Sequence, residues 1–276
     1  MKKKITIYLI LITTILTFFA FKNVVIDTNL KLVKGGTFKM GSKKHDGSAE
    51  IDEQKEHTVT LNSFEISKFE VTVWDWKQFI KDNKMKMPTE PTWGWYDNYP
   101  INRVTWIEAI AYCNWLSIKE DLQPCYTKKG PNFVCNFKAN GYRLPTEAEW
   151  EFAAKGGTLT KGFRFSGSDK LDEVAWHKAN SNGHPQTVGT KLPNELGIYD
   201  MSGNVWEWCW DWYNKDFYKQ EKDDNPKGPE MGEKRSVRGG SWDSQPNYVR
   251  PANRVSTIPS KTHEFYGFRV ARSITK

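Results

Sequence analysis

The sequence has no cysteine before Cys113 and none after Cys209, with four in all among 276 residues. The first gap leaves no thiol near the start for a lipid, so a bacterial lipoprotein anchor is not expected. Net charge is also scarce. Of a formal +7, Lys2, Lys3, Lys4 and Lys22 supply four, and the small remainder is too mild for a nucleic-acid footprint. The five histidines, His45, His57, His177, His184 and His263, are scattered without an H-x3-H pair, so a histidine-held iron is not supported. Neither Ser241 nor Ser244 lies in G-x-S-x-G, which leaves a serine hydrolase built on them and His263 without its nucleophile turn. No linker or low-complexity break interrupts residues 32–272.

Aromatic bulk is plentiful, with 13 Trp, 11 Tyr and 15 Phe, enough to bury a core. Three lysines precede an uncharged apolar run from Ile5 to Phe21, the charged and apolar regions of an export signal. Phe18 stands where a small residue is preferred before an Ala20 edge. Both a cleaved signal and a retained anchor fit, and we take cleavage as the working expectation. The expected organisation is a signal or anchor over 1–22, a spacer over 23–31, and one domain over 32–276. All four cysteines then fall in an extracytoplasmic, disulfide-permissive part. Cys125 and Cys135 bracket a Lys-Gly-Pro turn, so a staple across a hairpin is expected. Cys113 reads as a buried thiol or a partner of Cys209.

Residues 57–72, HTVTLNSFEISKFEVT, alternate Val59, Leu61 and then Phe64, Ile66, which is strand periodicity with a break at Asn62-Ser63. Thr72 then caps a helix with Val73, Trp76, Phe79 and Ile80 on one face. Thr105 with Glu108 and Thr146 with Glu149 form T-x-x-E capping boxes before two more helices. The second helix should turn Ala109, Tyr112, Cys113 and Leu116 inward; the third should bury Trp150, Ala153 and Ala154 and stop at Gly156. Trp206, Trp208, Trp210 and Trp212 recur at period two, which reads as a core strand rather than a ligand-stacking platform. The rest is rich in Gly, Pro and Asn without long periodic runs. The fold class is therefore α+β, loop-rich, with several short capped helices.

VKGGTFKMGS (33–42), PINRVTWIEAIAYCNWLS (100–117), GYRLPTEAEWEFAAKGG (141–157), LPNELGIYDMSGNVWEW (192–208), RGGSW (238–242) and GFRVAR (267–272), together with 57–72, occur in one order along the chain. In this set the sequence resembles the formylglycine-generating enzyme family, also called sulfatase-modifying factor domains. The resemblance implies a fold related to C-type lectins. It also implies, for members that are oxidases, a cysteine soon after RGGS and a second five residues later. That pair binds copper(I), and the enzyme uses oxygen to convert a sulfatase cysteine into formylglycine. Here the two positions are Ser244 and Val249. A hydroxyl is not a soft ligand and an isopropyl group offers none, so copper is not expected. Ser241 and Trp206 match residues beside the family's active site, retained either as a cleft or for packing.

The same resemblance implies calcium bound by side-chain oxygens of Asp200 and Glu207 and backbone oxygens of Gly203 and Val205. Hard oxygens around a tight loop suit calcium; the alternative is that both carboxylates only cap turns and pair with Arg or Lys. A second family calcium site would involve Asn180, but the loop completing it is short here, and that site is not expected. Trp242, Tyr248, Arg250 and Arg254 lie on the loop that would carry the copper cysteines. They could form a pocket for an anionic or peptide ligand, or Arg254 and Arg269 could pair with the glutamates of TEAEWE. Asp243 reads as a turn residue.

The functional expectation is an exported, calcium-stabilised module without oxidase activity, a pseudoenzyme that binds a protein, peptide or glycan at the cell envelope. Membrane contact is expected only if the N-terminal segment is retained. The alternatives are a sulfatase-activating oxidase and a lectin-like carbohydrate binder.

Overall fold

The computed structural model describes residues 28–43, 47–54, 56–217 and 222–274. The signal or anchor expected over 1–22, and the spacer up to residue 27, lie outside the described residues. Among the described residues no helix is long and apolar enough to cross a membrane.

Strands β1 (Leu30–Val33), β2 (Gly36–Met40), β3 (His57–Leu61) and β4 (Phe64–Ser67) come first, then helices α1 (Val73–Asn83) and α2 (Trp106–Lys119). The middle holds β5 (Tyr126–Lys129), β6 (Asn132–Cys135), β7 (Tyr142–Arg143), α3 (Glu147–Ala154) and the single turn α4 (Leu171–Val174). The last part is β8 (Trp206–Trp212), β9 (Lys222–Asp224), β10 (Arg235–Arg238), β11 (Val255–Thr257), β12 (Tyr266–Gly267) and β13 (Ala271–Ser273). Strand β1 begins two residues inside the stretch assigned to the spacer, because Leu30 and Lys31 pair with Ser67 and Ile66 of β4. The strands form sheets ordered β1-β4-β13-β7, β11-β10-β8-β12 and β2-β3-β9, plus the hairpin β5-β6. The α+β, loop-rich class stands.

Local chemistry explains the helices. Thr72, Thr105 and Thr146 each accept from the backbone N–H three residues on, and Asp75, Glu108 and Glu149 each reach back to the cap N–H. Each box satisfies two donors that the first turn would leave without partners. The inward faces of α1 and α2 meet in an aromatic core, where Trp76 lies 4.9 Å from Phe79 and 5.9 Å from Tyr112 between ring centroids. Phe268 stands edge-on to both Trp76 and Tyr112. Each such buried aromatic stabilises the fold by roughly 2–3 kcal/mol. Helix α3 goes beyond expectation: Glu147, Glu149 and Glu151 are buried as well as Trp150, Ala153 and Ala154. The arginines that make this tolerable define much of the molecule's centre.

Strand β8 is a core strand at its start and a clamp at its end. Trp208 is fully buried, and its indole N–H donates to the Val104 carbonyl at 3.1 Å. The Arg235 guanidinium lies over the rings of Trp106, Trp210 and Trp212 at 3.8, 4.9 and 3.4 Å. The expected hairpin is present, with Cys135 opposite Tyr126, and the Cys125 thiol donates to the Gly141 carbonyl at 3.3 Å. The staple itself is not formed, as all four cysteines are free thiols. Cys113 is a buried thiol in the core around α1 and α2, whereas Cys209 belongs to a separate core around α3.

Candidate functional site

Strand β10 ends at Arg238 and delivers the loop RGGSW to the junction of α4, β8 and the segment 244–254. Gly239 and Gly240 turn the chain with φ of 99° and 81°. A Cβ at Gly240 would lie 2.5 Å from Val249 Cγ1, so only glycine fits there. Ser244 Oγ accepts from the Ser241 backbone N–H at 2.9 Å and lies 3.1 Å from Ser241 Oγ. Its carbonyl accepts from Lys178 N–H at 3.1 Å. Val249 is fully buried in a small apolar cluster with Phe165 and Val174. Both positions are therefore committed to the turn and its packing. Trp206 is nearly buried and its backbone N–H donates to the Phe265 carbonyl at 2.7 Å. Asp243 lies in the turn and pairs with Lys178 at 3.3 Å.

The loop before β8 carries the acidic half of the site. Asp200 and Asn204 take left-handed conformations, as does Gly203, whose missing Cβ would lie 2.1 Å from the Trp176 carbonyl oxygen. Asp200 Oδ2 accepts from Gly189 N–H at 2.7 Å, while Oδ1 is buried without a partner. Glu207 is buried at the start of β8 and held bidentately by Arg269, at 2.6 and 2.7 Å. The Trp150 indole N–H also donates to it at 2.8 Å. Glu70, just after β4, joins them: its carboxylate accepts from Asn204 Nδ2 at 2.7 Å and Val205 N–H at 3.2 Å. Sequence reasoning missed Glu70, whose only signal was a carboxylate in an otherwise strand-like run, FEVT.

Three buried carboxylates thus share one guanidinium. Burial pushes Asp200 up to about 6, with Glu207 adding to the rise. Burial, then Asp200 and Glu207, raise Glu70 well above the usual carboxylate range. Buried like charges resist ionising together. The donor set suits a hard dication: oxygen ligands, excess negative charge and one carboxylate oxygen left without a partner. Among the described residues no group of three His, Cys, Asp or Glu side chains is arranged to hold a metal. An ion here would therefore depend on backbone carbonyls, as the set Asp200, Gly203, Val205 and Glu207 does. Asn180 has a different task, accepting from His177 N–H and donating to Asp172 and the Ala175 carbonyl.

The proposed ligand pocket is not assembled as expected. Arg250 is buried and paired bidentately with Glu53 at 2.7 and 2.9 Å. Arg254 is buried against Glu147 of TEAEWE at 2.6 and 2.8 Å. Arg269 pairs with Glu207 rather than with TEAEWE. The arginines face inward because the buried glutamates need them: an unpaired buried carboxylate costs several kcal/mol. Of the four residues only Tyr248 is exposed, and Trp242 is nearly buried. The Trp242 ring packs edge-on against Trp93 and Phe265.

Residues 23–274 match the Sulfatase-modifying factor enzyme 1-like domain. The chain belongs to this family. A relative from Paenibacillus barcinonensis named Chaperone protein LppX is 38% identical, covering 91% of this chain and 91% of that protein. The protein named Serine/threonine-protein kinase Pkn1 of Chlamydia trachomatis is 32% identical over 90% of this chain. The match spans only 38% of that longer protein. Among solved structures, Treponema denticola variable protein 1 superposes with a TM-score of 0.76 at 32% identity, over 89% of this chain and 95% of that one. The family resemblance read from the motifs and the α+β architecture therefore agree. Positions 244 and 249, where the resemblance implies the oxidases' cysteines, hold serine and valine here.

Proposed function

We propose that this protein is an exported member of the sulfatase-modifying factor family that does not oxidise cysteine. It binds a protein or peptide partner at the cell envelope, on a scaffold stiffened by calcium. The observation that carries the reading is the fate of the copper positions. Ser244 spends its hydroxyl on the Ser241 turn, and Val249 is fully buried in hydrocarbon. Copper(I) needs soft thiolates, and neither group is one. The Paenibacillus relative named a chaperone covers 91% of both chains, which supports a partner-binding role. Lys2–Lys4 and the apolar run after them support export.

In this reading Asp200 and Glu207 side chains and the Gly203 and Val205 carbonyls would hold calcium, with Glu70 beside them. The ion would supply fixed positive charge that offsets the buried carboxylates and rigidifies the loop. The scaffold's own residues then do the positioning: Arg269 orients Glu207, and Gly189 N–H orients Asp200.

The test is to load purified full-length protein with copper(I) and supply oxygen and a Cys-x-Pro-x-Arg peptide. No stoichiometric copper uptake and no formylglycine product are expected. Tight binding of one copper(I) equivalent with peptide oxidation would overturn the proposal.

A further inference from the structure

We infer that the cavity between the β3–β4 junction and the start of α3 is a binding site for a phosphate group. It measures about 340 Å3, within the range of small-molecule sites. Its walls are the Asn62-Ser63 break, the capping turn of α3, the end of β13 and the loops that carry Lys138 and Lys227. Three cations line it, Lys138, Arg143 and Lys227, against one carboxylate, Glu149. Arg143 and Glu149 neutralise each other through contacts at 2.6 and 2.8 Å. The charge left over is that of the two lysines, which are exposed and form no ion pair among the described residues. The Lys227 ammonium is held 4.5 Å from the Phe137 ring, whose other neighbour is the Arg143 guanidinium at 4.9 Å.

The uncharged part of the lining supplies hydrogen-bond donors. Ser63 Oγ accepts from Gly35 N–H at 2.9 Å, Ser273 Oγ from Arg143 Nε at 3.0 Å and Thr146 Oγ1 from Glu149 N–H at 3.1 Å. A hydroxyl that accepts still has its proton to give, and no described residue takes any of the three. The other two capping boxes differ here: Thr72 and Thr105 donate to their own box acids, at 2.6 and 2.7 Å. Glu149 is drawn onto Arg143 instead, so the Thr146 hydroxyl, on a residue 3% exposed, is left without an acceptor. A buried donor in that state is costly, and an oxygen of a bound anion relieves it. A phosphate group carries about −1.5 to −2 at pH 7 and an acceptor on every free oxygen. That matches two ammonium groups and three hydroxyls, whereas a carboxylate brings one charge and two oxygens.

The test titrates full-length protein in EDTA, at ionic strength held constant with potassium chloride, with inorganic phosphate, glycerol 1-phosphate and acetate. Saturable binding of phosphate is expected, with acetate at least about tenfold weaker, the scale of one charge-assisted hydrogen bond. An ester that binds more tightly than inorganic phosphate assigns the site to a phosphate monoester; an ester that does not assigns it to free phosphate. Lys138→Ala and Lys227→Ala should each weaken phosphate about fivefold or more, and Lys86→Ala, outside the cavity, should leave it unchanged. Absence of saturable phosphate binding, acetate bound as tightly, or affinity unchanged in both cavity variants would each overturn the site. Should a variant fail to fold, the comparison of phosphate with acetate on the wild-type protein decides alone.

Discussion

Arg254 meets Glu147 through two nitrogens, Nε 2.6 Å from Oε1 and Nη2 2.8 Å from Oε2, with both side chains buried. Burial alone would raise the carboxyl, yet Arg254 and Arg238 hold it at about 2, below its ordinary 4.5. A depressed carboxylate contributes stability above its unfolded pKa and loses it as pH falls through the folded one. The window is therefore about pH 4.5 down to 2, worth about 3 kcal/mol by linkage. Glu147→Gln should cost about 3–5 kcal/mol at pH 7, because it removes the carboxylate paired with buried Arg254 and one of the two paired with Arg238, which keeps Glu151. It should also flatten the acid limb. Urea melts at pH 7, 4 and 2.5 check both; an equally steep acid loss in the variant would assign acid sensitivity elsewhere.

Ser244 earns its position structurally. Ser244→Ala removes the acceptor of the Ser241 N–H and leaves that buried donor without a partner. A loss of about 1–2 kcal/mol follows, read from urea midpoints. Copper content should be nil in wild type and variant alike. A variant as stable as wild type, but with a changed catalytic readout, would show that the hydroxyl serves chemistry instead.

Local signals were legible and distant partners were not. The three capped helices could be read because Thr and the acid three residues on act within one turn. The break at Asn62-Ser63 and the core strand at Trp206–Trp212 followed from alternation. Glu70 was missed because its burial depends on Asn204 and Val205, more than 130 residues away. Arg250 read as a ligand fork because nothing local announces that Glu53, 197 residues earlier, will claim it. Arg269 likewise found Glu207 rather than a TEAEWE glutamate, since β8 and the segment before β13 are brought together only by the folded sheets.

Cys125 and Cys135 stand side by side across the β5–β6 hairpin as thiols. Oxidation would close a short loop worth about 2–3 kcal/mol. After purified protein is exposed to a mild oxidant, alkylation under denaturing, non-reducing conditions should tag two cysteines rather than four. Cys135→Ser should lower the melting temperature of the oxidised sample and leave the reduced one nearly unchanged. Four reactive thiols in that material would assign the pair to packing alone.

The buried carboxylates make the sharpest demand on a metal. Glu70, Asp200 and Glu207 lie together with Arg269 as their cationic neighbour, so a dication that binds only the folded state should stabilise it by mass action. Calcium at about a hundred times its dissociation constant contributes about 2.7 kcal/mol, seen as a higher melting temperature that EDTA reverses. Asp200→Ala should abolish that response. In EDTA the variant should melt within a few degrees of wild type, because removing a buried carboxylate oxygen without a partner offsets losing the acceptor of Gly189 N–H. Magnesium should do less, since it demands a tighter octahedral shell and gives up water reluctantly. If calcium raises the melting temperature of Asp200→Ala as much as that of wild type, the ion sits elsewhere and these carboxylates are matched by protons instead.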